Sequence, residues 1–265
     1  MKNYPQQKFW LKQVVFSLKA LNFVLDTVFP KTCLSCGKFT VAGDFDYICK
    51  KCFGGVNPKN TFECIGCKKQ THLGLTCLFC AKENKIDQLL ITTELSDPVV
   101  EKMLKTYKYK FVLSMVRPLS VVTRKYIKKL LSKNFNLFED NPIIIPVPLH
   151  KNRLNWRGFN QAELLAKVIS DTYHISCHSG TLRRIIDMKH QVDTKSREER
   201  LGNIKNNFVI NNCESLKDKT AILVDDICTT GATLNECANV LKENGAKRVI
   251  GFVIARGQFK KISNF

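Results

Sequence analysis

Apolar residues fall along this chain in two rhythms. Short unbroken runs at 143–147, 221–225 and 249–255 read as strands buried on both faces, and Ile86 to Glu94 reads as another. Between them the apolar spacing is helical. Asp97 and Pro98 suit the cap and first position of a helix that carries Val99, Val100, Met103, Leu104 and Tyr107. Leu113 to Leu131 predicts a second helix, and the stretch Arg157 to Ala166 opens a third. Leu234, Cys237, Ala238, Val240 and Leu241 mark a fourth, stopped by Gly245. Apolar runs alternating with helical stretches predict an α/β domain, a parallel sheet flanked by helices, over residues 86–257.

Three stretches stand apart from it. Phe9 to Val28 has a roughly helical apolar pattern broken by Lys12, Lys19 and Asp26 and stopped by Pro30. It reads as a packing helix within residues 1–31, or as a membrane-surface or partner helix. Leu182 to Phe208 is polar and basic, with Arg183, Arg184, Lys189, His190, Gln191, Lys195, Arg197 and Arg200. Beside a binding site such a stretch acts as a lid. Residues 258–265 form a short basic tail.

Residues 32–85 have too few apolar positions for a core of their own. They hold Cys33 and Cys36, Cys49 and Cys52, Cys64 and Cys67, and Cys77 and Cys80, each pair separated by two residues. Such a turn sets two thiolates on one side of a metal ion, and two turns complete a tetrahedron. Eight thiols predict two Zn²⁺ ions in a double zinc-ribbon module. Sequential pairing is the simplest arrangement, and spacing leaves a crossed pairing open. Full four-thiol shells make the metal structural and a main source of the module's folding energy. Gly37 and Gly66 stand beside these turns, where tight knuckles favour glycine. His72 reads as a loop residue, since the Cys set is complete without it.

Charge changes the picture of partners. The 265 residues carry 42 Lys and Arg against 23 Asp and Glu, a net +19, which favours polyanions. Residues 1–86 hold thirteen Lys, five acids and no Arg, while all ten Arg follow residue 116. Arg clasps phosphate in bidentate fashion, whereas Lys attracts a backbone without reading bases. The first part therefore suits sequence-tolerant single-stranded DNA binding, with Phe39, Phe45, Tyr47, Phe53, Phe62 and Phe79 as candidate stacking residues. For most of these, packing the knuckles is the simpler role. Paired thiols, no convincing signal peptide and no uncharged run of membrane-spanning length predict a cytoplasmic protein without a membrane span.

The chemistry concentrates at Ile222 to Leu234. An apolar strand ends in Asp225 and Asp226; Thr229, Thr230, Gly231, Ala232 and Thr233 then lead into a helix. Small residues and the positive end of the helix favour a phosphate, and two carboxylates beside it accept hydrogen bonds from a sugar diol. Together they describe a ribose 5-phosphate site. The stretch resembles the phosphoribosyl-diphosphate (PRPP) motif of type I phosphoribosyltransferases, matching it at Asp225, Asp226, Thr230, Gly231 and Thr233. It is not a nucleotide-binding loop of the Gly-Lys-Thr kind. A second basic loop, from Pro146-Val147-Pro148 through Lys151, Arg153 and Arg157, follows a strand and suits another anion.

In this order the four Cys pairs, Lys105-Tyr107-Lys108-Tyr109, Pro146-Val147-Pro148, Arg157-Gly158-Phe159-Asn160-Gln161, Arg197 with Arg200 and Asn203, and the PRPP motif resemble the ComF family of competence proteins. The likeness spans about residues 20–257. It implies a zinc ribbon joined to a phosphoribosyltransferase domain, Mg²⁺–PRPP as ligand, a role in DNA uptake during natural transformation, and competence-machinery proteins as partners. It adds Lys105, Arg153 and Arg157 to residues 229–233 as PRPP contacts. Asp225 and Asp226 hold the ribose hydroxyls, and one serves as base. The family also looks like the transferase half of glutamine–PRPP amidotransferases; this chain, beginning Met1-Lys2-Asn3, lacks their N-terminal Cys nucleophile and glutaminase domain. Two classes of function stay open: an enzyme that releases diphosphate from PRPP toward an unidentified acceptor, and a non-catalytic single-stranded DNA-binding module that keeps the fold as sensor or scaffold. No helix-turn-helix pattern stands out for a transcription regulator.

Overall fold

The computed structural model describes residues 30–41, 43–109, 112–185, 207–211 and 216–257, which form two compact units, one up to Gly54 and one from Gly55. The predicted helix at Phe9–Val28, the lid residues Lys189 to Arg200 with Asn203, and the basic tail lie outside the described residues.

In the first unit, a tight turn brings the Gly37 N–H to the Cys33 carbonyl at 2.8 Å, with Gly37 at φ +74. Asp44 braces the next turn, accepting from the backbone N–H groups of Val41 (2.9 Å) and Lys50 (2.8 Å). The latter begins helix α1, Lys50–Gly54. Phe53 from α1 lies edge-on to Phe45 with ring centroids 4.6 Å apart, and Ile48 is buried. These few side chains are a small core, as the polar composition predicts.

The second unit opens with another Cys knuckle and helix α2, Leu78–Ala81, and then builds the sheet. Its strands are β1, Gln88–Glu94, and β2, Pro142–Pro146, followed by a short antiparallel pair of β3, Leu182–Arg184, and β4, Phe208–Ile210. Two more follow: β5, Thr220–Cys228, and β6, Arg248–Arg256. The main sheet is parallel throughout in the order β1-β6-β5-β2, so β5 is internal. Side chains alternate between faces. Ile143, Ile145, Leu223, Val249 and Val253 join one buried cluster with Leu234 and Leu241. Both sides are covered, which is why the strands read as continuous apolar runs.

Between the strands lie α3, Pro98–Tyr109; α4, Val116–Ser132, entered by a single 3₁₀ turn; α5, Lys151–Arg157; α6, Gln161–Tyr173; and α7, Ala232–Glu243. Asp97 caps α3 as predicted, accepting from the N–H groups of Val99 and Val100. One expectation needs amending. Arg183 and Arg184, at the start of the stretch predicted as a lid, belong to the strand β3, because Leu182 and Phe208 are buried and β3 pairs with β4.

Candidate functional site

The carboxyl ends of β2 and β5 face one cleft of about 220 Å³. Parallel sheets bind ligands at such strand ends, where loops open helix N-termini. β2 stops at Pro146, level with Val224, so Asp225 and Asp226 project beyond it. The Asp225 carboxylate accepts from the Asp226 N–H at 2.8 Å, and the Asp226 carboxylate from the Ile227 N–H at 2.6 Å. Asp226 is 5% exposed and ion-paired to the Lys108 ammonium at 2.8 Å.

Burial, helped by the neighbouring Asp226 charge, pushes the Asp225 carboxyl up to about 7, against the pull of Lys108. Burial on its own would lower Lys108, but Asp226 and Asp225 outweigh it and hold the ammonium above its ordinary value. Burial lowers Arg157, with Asp226 opposing, and as a guanidinium it stays charged.

Across the cleft, α5 supplies Arg153 and Arg157. Gly158 ends α5 at φ +75, which lets Asn160 cap α6: its side chain accepts from the Ala162 N–H at 3.1 Å and donates to the Val147 carbonyl at 3.0 Å. Gln161 then locks three elements together. It donates to the Tyr107 carbonyl (3.3 Å), its own carbonyl accepts from the Tyr107 hydroxyl (3.1 Å), and its side chain accepts from Arg157 (3.2 Å). The Arg-Gly-Phe-Asn-Gln segment is thus a bracket that fixes the cationic wall.

Thr229, Thr230 and Gly231 form the loop between β5 and α7, and Ala232 and Thr233 are the first residues of α7. Gly231, at φ +87, is the residue before α7, and the Thr230 hydroxyl accepts from the Ala232 N–H at 3.2 Å. Thr233 lines the cleft with Asp225, Asp226, Arg153 and Arg157. Lys105 does not join them. It is 66% exposed on its side chain and ion-paired to Glu101 at 2.7 Å. Lys108, one turn on, faces the acids instead. Lys108, Tyr109, Asn160 and Gln161, which the sequence reading did not name as ligand contacts, and Arg184 of the predicted lid also line the cleft. The amphipathic pattern of α3 held a signal: Lys105 lies roughly opposite its apolar stripe, whereas Lys108 borders it.

The thiols group sequentially, Cys33, Cys36, Cys49 and Cys52 in one cluster and Cys64, Cys67, Cys77 and Cys80 in the other. All the sulfurs of a cluster lie within 4.8 Å of one another. The Cys36–Cys49 and Cys64–Cys77 sulfurs are 3.8 Å apart, and Cys67–Cys77 3.9 Å. Sulfurs bound at about 2.3 Å around a tetrahedral zinc stand about 3.8 Å apart, so each donor set fits such an ion. Disulfides are far shorter. Among the described residues no helix is long and apolar enough to cross a membrane.

A parallel sheet whose internal strand ends in paired acids, followed by a small-residue loop and a helix, defines a phosphoribosyltransferase-type domain. Residues 161–262 match the family model described as phosphoribosyl transferase domain. The two four-thiol clusters ahead of it and the relatives below support the resemblance to the ComF family. Competence protein F of Haemophilus influenzae is 27% identical over 80% of this chain and 98% of its own. Competence protein ComFC of Bacillus subtilis is 36% identical over 43% and 44%. DNA utilization protein YhgH of Escherichia coli K12 is 26% identical over 86% and 97%. Among solved structures, a purine phosphoribosyltransferase from Pyrococcus horikoshii is 15% identical over 55% of this chain and 85% of its own, a loose likeness with a TM-score of 0.32.

Proposed function

We propose that this protein binds Mg²⁺–PRPP in the cleft and serves DNA uptake. One observation carries the ligand: the acid pair, Thr233 in the first turn of α7 and the guanidinium wall of Arg153 and Arg157 line a single space. The loop N–H groups and the Thr230 and Thr233 hydroxyls suit the 5-phosphate. Asp225 and Asp226 suit the ribose hydroxyls, and Lys108, Arg153, Arg157 and Arg184 suit the diphosphate. The relatives' names, competence protein and DNA utilization protein, support the DNA role.

In a transfer, the C1–oxygen bond breaks and its electron pair leaves with diphosphate, while an acceptor lone pair forms the new bond. The cations of this chain face the charge that grows on the leaving oxygens. Asp226 is committed to Lys108, so Asp225, with its carboxyl near 7, is the group suited to take the acceptor's proton. Mg²⁺ would be held through the diphosphate and the carboxylates of Asp225 and Asp226, and supplies further charge neutralisation when bound. The two clusters hold Zn²⁺ as structural ions.

Calorimetry with Mg²⁺–PRPP tests the ligand. The wild type should bind, and the double variant Asp225→Asn, Asp226→Asn should lose binding with its fold intact. Retained affinity in that variant counts against the site. Diphosphate release with candidate acceptors then separates an enzyme from a ligand sensor.

A second reading, single-stranded DNA binding without catalysis, has support in the open aromatics. Phe39 is 65% and Phe79 80% exposed, whereas Phe53 is buried, Phe45 packs on it, and Lys133 covers Phe62. Reversing Lys50, Lys51, Lys68 and Lys69 to Glu should weaken oligonucleotide binding in fluorescence anisotropy and leave PRPP binding unchanged. Unchanged anisotropy would remove these residues from the DNA surface.

A further inference from the structure

The second Cys knuckle reaches into the predicted phosphate loop. Ile65, between Cys64 and Gly66, is wholly buried and belongs to the same core cluster as Ala232 and Leu234 of α7. It lies directly against Gly231. A Cβ added at Gly231 would stand 2.8 Å from Ile65 Cγ1 and 3.0 Å from Cδ1. Gly231 therefore serves two needs, a left-handed backbone and a bare Cα where the knuckle docks.

The docking is pinned on both flanks. Arg256, at the end of β6 and level with Cys228, donates to the carbonyls of Cys64 (3.0 Å) and Ile65 and to the Glu63 carboxylate (2.8 Å). On the other flank the Asn235 side chain, in the first turn of α7, accepts from the Lys85 N–H at 2.5 Å and donates to the Glu83 carbonyl at 3.1 Å. Asn235 also donates its own N–H to the Gly231 carbonyl at 2.8 Å. The knuckle and the loop are thus held at Ile65, at Arg256 and at Asn235. None of residues 63–85 lies in the stretch that matches the phosphoribosyl transferase model.

We infer that Ile65, backed by Arg256, is a positioning residue for the phosphate loop, so that metal in the Cys64–Cys80 cluster and a phosphorylated ligand in the cleft strengthen each other's binding. The inference rests on the proposed PRPP site. Metal fixes Cys64 and Cys67, Ile65 sits between them, and its side chain fixes where the Gly231 peptide can lie. A loop already ordered for phosphate costs less to occupy, and coupling between two such sites is reciprocal.

Two measurements on the full chain test it. In calorimetry with Mg²⁺–PRPP, Ile65→Ala should bind about tenfold more weakly, a usual size for such coupling, and Ile65→Val should recover most of the affinity. Because Ile65→Ala also opens a core cavity, the second measurement uses the wild type. Zn²⁺ affinity is read by equilibrium competition with a chromogenic chelator, with and without saturating Mg²⁺–PRPP. One of the two ions should be held about tenfold more tightly with PRPP present. A Cys36→Ser chain, impaired in the first cluster alone, should keep that response. If the wild type does not bind Mg²⁺–PRPP, the reading of the cleft fails and takes the inference with it. If it binds, but neither Zn²⁺ affinity responds and Ile65→Ala binds as the wild type does, the inference alone is overturned.

Discussion

The two Cys knuckles have the same donors and different surroundings. Residues around the first bury Ile48 and Phe53, and its tight turn relies on Gly37. The second contributes Ile65 to the core of the sheet, and its equivalent turn is made by Lys68 at φ +61. A non-glycine residue in the left-handed region costs on the order of 1 kcal/mol, tolerated only where the surroundings fix the backbone. Gly66 in that knuckle serves another need: a Cβ there would meet Cys80 Sγ at 2.7 Å. The difference teaches that one ligand pattern serves two structural economies. One is a module with few core side chains of its own, which four thiols could hold together through a metal ion, the other a turn that a large core also holds.

That contrast fails or sharpens under four measurements. The largest effect is expected from stripping metal with a strong chelator under reducing conditions. The 30–54 unit should lose its folded NMR signals entirely, while the sheet keeps its secondary structure by circular dichroism at lower stability. Equal loss in both would erase the distinction. Next, Arg256→Ala leaves the Cys64 and Ile65 carbonyls and Glu63 without their buried donor and should cost about 3 kcal/mol in chemical denaturation. Lys59 still holds Glu63 at 2.9 Å, so full unfolding is not expected.

Third, Gly231→Ala should cost about 2 kcal/mol, from its positive φ and the collision with Ile65. Gly37→Ala, with nothing within 4 Å of its added Cβ, should cost only the backbone strain, about 1 kcal/mol. Paired melting curves that show equal losses would mean Ile65 does not press on the loop. The last test is in pH. Asp225 has a folded value near 7 against an ordinary 3.8. Its contribution to stability is therefore full below about pH 4 and is lost as pH rises through 7. Asp225→Asn should melt progressively higher relative to wild type between pH 5 and pH 8, by about 2–4 °C for each kcal/mol recovered.

Most of the sheet was legible because both faces are buried, so β2, β5 and β6 appear as bare apolar runs. The acids and the Thr-Gly loop were legible for the same reason: a strand end, a turn and a helix start are all local. What the sequence hid was long-range. Ile65 is a lone apolar residue among metal ligands and carries no periodicity, so nothing marked it as part of a core built around residues 145, 223 and 234. β3 and β4 are three residues each, too short for alternation to show. Lys105 and Lys108 differ only by one helical turn, and only the packed face of α3 separates the one that meets Asp226 from the one that meets Glu101.

The order of strands also sets an order of assembly. Gln88, in the first strand of the sheet, pairs with Ile250 in the last, and β5 cannot be flanked until β6 exists. Each thiol cluster, by contrast, closes within one short stretch of chain. During synthesis, then, both clusters can capture metal while most of the sheet is still unmade. β1 meanwhile emerges with its hydrogen-bonding edges bare, and contacts of such high sequence separation form slowly. The last strand completes the sheet, and with Arg256 at its end it also reaches the Cys64–Cys80 knuckle that was made long before it.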